Sequence, residues 1–253
     1  MNSFEKNITF IIVSFRSSHI IEEAIKSINS NIKIIVVENS NNIEIKNYLE
    51  KKFSNVEVII AQENLGYSKG NNLGISKVST QYAFILNPDT VLEENCLSEF
   101  YKAHLMLHDN FTILAPNLLN NYGFFTDKNN FFKDGIMQVD YVKGFAMLIN
   151  LKKTNLEKIF DENFFLFLEE IDLCKRVKNQ GGKVFVIQNS KVKHFGFLTA
   201  YKTTLFKFFL SIIKLLIALI LLNQKKILIY YYRINGLFNA FLKRPAWLRP
   251  DDI

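Results

Sequence analysis

Three carboxylates fall within four positions of the stretch Phe167-Leu168-Glu169-Glu170-Ile171-Asp172-Leu173-Cys174-Lys175-Arg176. They follow the aromatic run Phe164-Phe165-Leu166-Phe167 and open an amphipathic pattern of helical period. Carboxylates beside bulky apolar groups lose hydration, and neighbouring carboxylates repel. Both effects raise a carboxyl pKa toward the range of a general base. The same residues could simply dress a helix. Acids in a first turn complement the helix dipole, and Asp172 can pair with Lys175 or Arg176. Alone, the stretch favours helix dressing.

Three further groups of residues could do chemistry. In Asn87-Pro88-Asp89-Thr90 the proline ends a strand and Asp89 projects beyond it. One carboxylate beside a diphosphate is a common way to hold Mg²⁺ or Mn²⁺. The same four residues also spell an ordinary turn, and alone the turn wins. Asn64-Leu65-Gly66-Tyr67-Ser68-Lys69-Gly70-Asn71-Asn72-Leu73-Gly74 joins a strand end to a helix start. Ser68 or a neighbour can cap that helix, and Lys69 adds positive charge where a helix N-terminus already favours phosphate. A capped loop with a solvated lysine is an equal alternative. The stretch matches neither G-x-G-x-x-G nor G-x-x-x-x-G-K-[ST], so neither a dinucleotide fold nor a P-loop is supported. His194 lies just past a predicted strand. An imidazole can complete the coordination of a divalent ion, although a lone histidine is more often structural.

The elements that must position these residues alternate. Residues 8–13, 34–37, 56–61 and 82–86 are short runs rich in Ile and Val, typical of strands buried on both faces of a parallel sheet. Helical patterns cover 20–28, 43–53, 68–78 and 95–107. This rhythm predicts a doubly wound α/β sheet with right-handed crossovers, whose ligands bind at the carboxyl ends of the strands. Ser14-Phe15-Arg16, Glu38-Asn39-Ser40, Asn64-Leu65-Gly66 and Asn87-Pro88-Asp89 should line that edge. Residues 138–142 and 146–149 are candidate strands of a mixed-sheet extension. A helix over 169–180 should end at Gly181-Gly182, followed by a strand over 183–187.

The 253 residues suffice for one sizeable domain plus an appendage. The net charge of +7 suits nucleic acid, anionic lipid or phosphate-bearing ligands. No Lys/Arg run interleaved with aromatics occurs in the first 200 residues, which disfavours nucleic acid. The two cysteines, Cys96 and Cys174, lack metal-type spacing and read as thiols of a reducing compartment. The N-terminal apolar run is short, with Glu5 ahead of it and no small-residue cleavage site after it. The catalytic part is therefore expected in the cytoplasm. Residues 205–222 are almost wholly apolar apart from a stripe of Lys207, Ser211 and Lys214. We read them as a helix lying in the membrane interface with snorkelling lysines, and Lys225, Lys226, Arg233, Lys243, Arg244 and Arg249 add attraction for an anionic leaflet. A core or homodimer helix is the alternative, and a spanning helix a lesser one, since the run is short of the about 20 apolar residues a span needs. A domain boundary is expected between 1–200 and a 201–253 tail.

The ordered series is more specific than any of its pieces. It runs Val13-Ser14-Phe15, Val36-Val37-Glu38-Asn39-Ser40, Glu63-Asn64-Leu65-Gly66-Tyr67-Ser68-Lys69-Gly70-Asn71-Asn72, Leu86-Asn87-Pro88-Asp89-Thr90, Lys143-Gly144-Phe145-Ala146-Met147-Leu148, residues 164–176 and His194. It resembles the family 2 inverting glycosyltransferases of the GT-A fold, in the branch of bacterial rhamnosyltransferases of surface polysaccharides. The resemblance implies a Rossmann-like mixed, mainly parallel α/β sheet flanked by helices, with a C-terminal amphipathic membrane-associating tail. It implies that Phe15 and Glu38 contact the nucleobase, that Asn64, Gly66 and Lys69 shape the donor pocket, and that Gly144 lines the sugar site. Asp89 would hold Mg²⁺ or Mn²⁺, with His194 as a further metal or diphosphate contact. Glu170 would be the base, with Glu169 the rival. A nucleoside-diphosphate sugar, dTDP- or UDP-linked, would be the donor, and a glycan or polyprenyl-diphosphate-linked acceptor would be met at the inner face of the cell membrane. Three positions depart from the family pattern: Glu38 stands for Asp, Asn87 for the first acid of D-x-D, and Glu169-Glu170 for Glu-Asp. Two other classes remain. A sugar-phosphate nucleotidylyltransferase would want a glycine-rich loop after the first strand, which Ser14-Phe15-Arg16-Ser17-Ser18 does not supply. A membrane-associated subunit could keep the fold with catalysis weakened at Asn87.

Overall fold

The computed structural model describes residues 2–118, 134–195 and 212–213. The chain divides into two compact units, Met1–His194 and Phe195–Ile253. Almost all of the second, including the helix expected over 205–222, lies outside the described residues. Among the described residues, no helix is long and apolar enough to cross a membrane.

The first unit opens with three strands, β1 (Ile8–Ser14), β2 (Lys33–Glu38) and β3 (Val56–Ile60), separated by α1 (Ile21–Lys26) and α2 (Ile43–Lys52). After α3 (Gly66–Ile75) come β4 (Tyr82–Leu86), the three-residue β5 (Thr90–Leu92) and α4 (Cys96–Leu107). The remaining elements are β6 (Ile113–Leu118), β7 (Ile136–Gln138), β8 (Ala146–Asn150), α5 (Glu169–Asn179) and β9 (Val184–His194). One sheet runs in the order β3-β2-β1-β4-β8-β6-β9-β5, with β7 also on β9. The block β3-β2-β1-β4 is parallel, so the carboxyl ends of these strands share one edge, with Ser14 opposite Glu38. Beyond β4 the pairing changes. Four pairings are parallel and four antiparallel, so the sheet is less parallel than the alternating pattern predicts.

The Ile/Val runs are continuous because both faces of the sheet are covered. Phe10, Ile12, Ile34, Val36 and Phe84 pack with residues of α1, α2 and α4. On the other face Ile11, Ala83, Ile85 and Met147 pack with Leu173, Cys174 and Val177 of α5. Phe10 and Phe84, neighbours across β1 and β4, stack at 4.4 Å. Local signals set the helix ends. Asn42 Oδ1 accepts the N–H groups of Glu44 and Ile45, capping α2. Gly181 sits at φ +78° and Gly182 N–H bonds back to Val177 O at 2.9 Å, closing α5 where the glycine pair predicts.

Three strand readings need correction. β7 ends at Gln138, and residues 139–142 continue without strand structure. Val139 and Val142 are nevertheless buried in the core beneath α5, and Val139 N–H still donates to Val184 O at 3.0 Å, so the packing outlasts a pairing that fades just past Gln138. β9 runs on from the predicted 183–187 segment to His194, which is therefore its last residue. β5 and β6 carry no usable periodic signal. β5 is too short, and β6 contains Pro116, where its register against β9 shifts.

Candidate active site

The carboxyl edge of the parallel block gathers most of the candidate residues. Just past β1, Phe15 is exposed, Arg16 adopts a left-handed φ of 55°, and its guanidinium lies 5.2 Å from the Phe15 ring centre. At the end of β2, Glu38 is buried. Its Oε1 accepts the Ser40 N–H at 2.7 Å and the Ser40 hydroxyl. The longer side chain does not push this carboxylate into solvent.

The loop entering α3 is held by its own chain. Asn64 Oδ1 accepts Gly66 N–H at 3.0 Å, and Tyr67 N–H donates to Phe165 O at 2.7 Å. Two of the orphan donors that open a helix are thereby used internally, which narrows the anion site expected there. Ser68 does not cap; it is buried with its hydroxyl unpartnered. Gly66 sits at φ +74°, and a Cβ there would lie 2.4 Å from Phe165 O, so only glycine fits. Lys69 is exposed beside this loop.

Asp89 and His194 come together through strand pairing. Thr90, the first residue of β5, lies opposite His194 in β9, so the preceding Asp89 meets the imidazole. Nε2 is 3.2 Å from Asp89 Oδ1. That separation is ion-pair distance without hydrogen-bond alignment, and Oδ1 is buried with no hydrogen-bond partner. The His194 ring stacks on Phe145 at 5.0 Å and 23°. No group of three or more metal-type side chains occurs among the described residues. One carboxylate and one imidazole still fit Mg²⁺ or Mn²⁺, because such ions keep several waters and take ligands from substrate phosphates.

The acid pair opens α5 from a constrained approach. Phe167 and Leu168 both adopt left-handed φ values, 72° and 74°, immediately before Glu169. Phe165, Leu166 and Phe167 project into solvent, the last 73% exposed. Asn72 anchors the loop from α3 by donating to Phe160 O at 2.8 Å and accepting Phe160 N–H at 3.0 Å. Glu169 is buried, with Oε2 unpartnered. Burial, then the Glu170 charge, pushes its carboxyl up to about 7. Burial also raises Glu170, with Lys143 partly opposing. Glu170 is only partly covered and faces Gly144, where an added Cβ would lie 3.5 Å from Glu170 Cβ. Asp172 serves structure. Its Oδ2 accepts Arg176 Nε at 2.6 Å, and Arg176 Nη2 donates to Ile159 O at 2.7 Å.

Two residues of this site carry no chemical signature in the sequence. Asn39 donates to Gly66 O at 2.9 Å, joining the end of β2 to α3. Tyr67, a lone aromatic in a glycine- and asparagine-rich loop, donates its hydroxyl to Gly144 O.

Known proteins share the fold and part of the sequence. Low-salt glycan biosynthesis hexosyltransferase Agl10 of Haloferax volcanii is 25% identical over 195 residues, which is 69% of this chain and 62% of that protein. This chain thus spans less than two thirds of the curated relative it matches. The structure of GalNAc-T7 with UDP, GalNAc and Mn²⁺ superposes with a TM-score of 0.61 at 14% identity, covering 76% of this chain and 44% of that one. S. aureus TarS 1-349 in complex with UDP-GlcNAc superposes with a TM-score of 0.52 at 14% identity, covering 74% and 57%. At that identity these two speak for the fold, which is the GT-A-type mixed α/β sheet. The sequence pattern that defines Glycosyl transferase family 2 matches residues 9–172, from β1 through the acid pair, and this chain belongs to that family of glycosyltransferases.

Proposed function

We propose that this protein transfers a hexosyl unit, with rhamnose as one candidate, from a dTDP- or UDP-linked sugar to a glycan or polyprenyl-diphosphate-linked acceptor, with inversion at the anomeric carbon. The observation that carries the reading is the acid pair at the start of α5. Both carboxyls are raised by burial, and Glu170 faces the Gly144 turn. Glu170 takes the proton of the acceptor hydroxyl. The freed oxygen bonds to the anomeric carbon as its bond to the diphosphate breaks, and the nucleoside diphosphate leaves with that electron pair. One displacement inverts the centre. Phe15 and Glu38 bind the base end of the donor, Asn64, Gly66 and Lys69 its diphosphate side, and Gly144 leaves room for the sugar. Asp89 and His194 would hold Mg²⁺ or Mn²⁺, which supplies charge neutralisation for the departing diphosphate.

The exposed Phe165, Leu166 and Phe167 beside the acids support an acceptor with an apolar portion, such as a polyprenyl carrier at the inner leaflet. The basic, apolar composition of residues 205–253 supports the same placement. A panel of nucleoside-diphosphate sugars tested for Mn²⁺-dependent release of nucleoside diphosphate, with and without polyprenyl-diphosphate acceptors, tests the proposal. Release from one donor class that rises with acceptor supports it. No release from any donor, with folded protein, refutes it.

A further inference from the structure

Donor side and base side of the site are tied together by one residue that the reaction itself does not use. Tyr67 lies in the first turn of α3 and makes three contacts away from it. Its hydroxyl donates to Gly144 O, 77 residues along the chain. Its N–H donates to Phe165 O at 2.7 Å. Its ring meets the Phe160 ring edge-on, with centroids 5.8 Å apart at 85°. One side chain thereby joins the helix that shapes the donor pocket, the turn before β8, and the loop that delivers the acids.

The Gly144 backbone sits between Tyr67 and Glu170. A Cβ added at Gly144 would lie 3.4 Å from Tyr67 Oη and 3.5 Å from Glu170 Cβ. Moving that backbone therefore moves one wall of the space in which Glu170 stands. The hydroxyl is a fixed donor. Burial first, then the charges of Glu169 and Glu170, holds its ionisation well above the ordinary tyrosine range, so it can give a hydrogen bond but not take a proton. Packing and hydrogen bonding are separable here. The ring fills space against Phe160, whereas the oxygen donates to Gly144 O with the Asn71 side chain beside it.

We infer that Tyr67 is a positioning residue that sets Glu170 against the bound donor by fixing the Gly144 carbonyl, an inference that rests on the transferase reading above. A base must stand within a fraction of an ångström of its working place, and a displacement of about 1 Å can cost roughly 10²-fold in rate.

The test is a double-mutant cycle of Tyr67→Phe and Glu170→Gln, measured as kcat, donor KM and nucleoside-diphosphate Kd, with thermal unfolding of each variant. Tyr67→Phe keeps the ring. It should lower kcat by about 10- to 100-fold while donor KM and nucleoside-diphosphate Kd stay within about threefold. In the Glu170→Gln background the same change should cost no more than about twofold, because the group it positions is already gone. A purely structural hydroxyl would weaken nucleotide binding and kcat together, and its losses would multiply in the double variant. Either that pattern, or a kcat of Tyr67→Phe within twofold of wild type, overturns the inference. If Glu170→Gln alone kept full turnover, the base assignment would fall first and the coupling with it.

Discussion

Replacing Glu169 by Gln removes one ionisation and changes almost nothing else, so the cost of keeping that charge buried can be measured directly. Glu169 is 4% exposed, its Oε2 has no partner, and burial with the Glu170 charge lifts its carboxyl from 4.5 to about 7. In the unfolded chain it ionises near 4.5. Between these two values the folded state holds a proton that the unfolded state has lost, so stability must fall as pH rises through that window. Below the window the side chain is neutral in both states and closely resembles glutamine. Above it the full penalty is present, and a shift of this size corresponds to roughly 3 kcal/mol at most. Urea unfolding of wild type and Glu169→Gln at pH 4, 5, 6, 7 and 8 reads the difference. The variant's advantage should be smallest at pH 4 and grow by about 2–3 kcal/mol toward pH 8, with most of the change between pH 5 and 7. Glu170 leaves a residual slope in both proteins, since burial raises its carboxyl too. A gap between the two proteins that stays constant from pH 4 to pH 8 would mean Glu169 ionises normally in the fold, and the burial argument for the pair would be wrong.

Glu170→Gln should lower turnover by roughly 10²–10⁴-fold with little change in nucleoside-diphosphate affinity; if Glu169→Gln took that loss instead, the base would be Glu169. The rate of the wild type should rise with pH through a limb above the ordinary carboxyl range, since the base works deprotonated and burial raises it. Asp89→Ala should remove the Mn²⁺-dependent part of nucleoside-diphosphate binding, and calorimetry giving equal affinity with and without the substitution would exclude a metal role for Asp89. Gly66→Ala forces a side chain into φ +74° and against Phe165 O at 2.4 Å. It should destabilise by about 2 kcal/mol or more and lower turnover with it, and a fully stable, fully active variant would show that the Phe165 carbonyl does not press on the start of α3.

The sequence reveals the first half of this fold because burial on both faces leaves a continuous signature. Ile8, Phe10 and Ile12 of β1 face one core and Ile11 the other, so 8–13 reads as a strand without neighbours to consult. The second half is harder for the opposite reason. β5 is three residues long and exists only because it pairs with the end of β9. That pairing brings Asp89 to His194 across more than one hundred residues, and no spacing rule encodes it. The acids at 169 and 170 are visible as residues, but not the two left-handed positions that aim them or the Tyr67–Gly144 bond behind them. The order of motifs recovers the site because it reports descent, whereas single motifs report only local chemistry.

The described buried side-chain atoms without a hydrogen-bond partner all lie at one edge of the sheet. Ser14 Oγ and Asn39 Oδ1 follow β1 and β2, Ser68 Oγ and Asn71 Oδ1 lie in α3, Asp89 Oδ1 and Thr90 Oγ1 follow β4, and Glu169 Oε2 opens α5. The opposite edge differs. There Tyr82 and Asn150 both donate to Asp109 Oδ1, at 2.7 and 2.9 Å, and Gln81 donates to Oδ2 at 3.0 Å. Each buried polar atom left unpaired costs about 1–3 kcal/mol, so such atoms do not accumulate at random in a folded domain. Their confinement to the carboxyl edge is the pattern expected where stability has been given up for binding. On the transferase reading the donor offers this edge a base, a ribose and a sugar as well as phosphate, with the exposed Phe15 at the base end. Inorganic pyrophosphate should therefore bind far more weakly than a nucleoside-diphosphate sugar, and equal affinities by calorimetry would refute that reading.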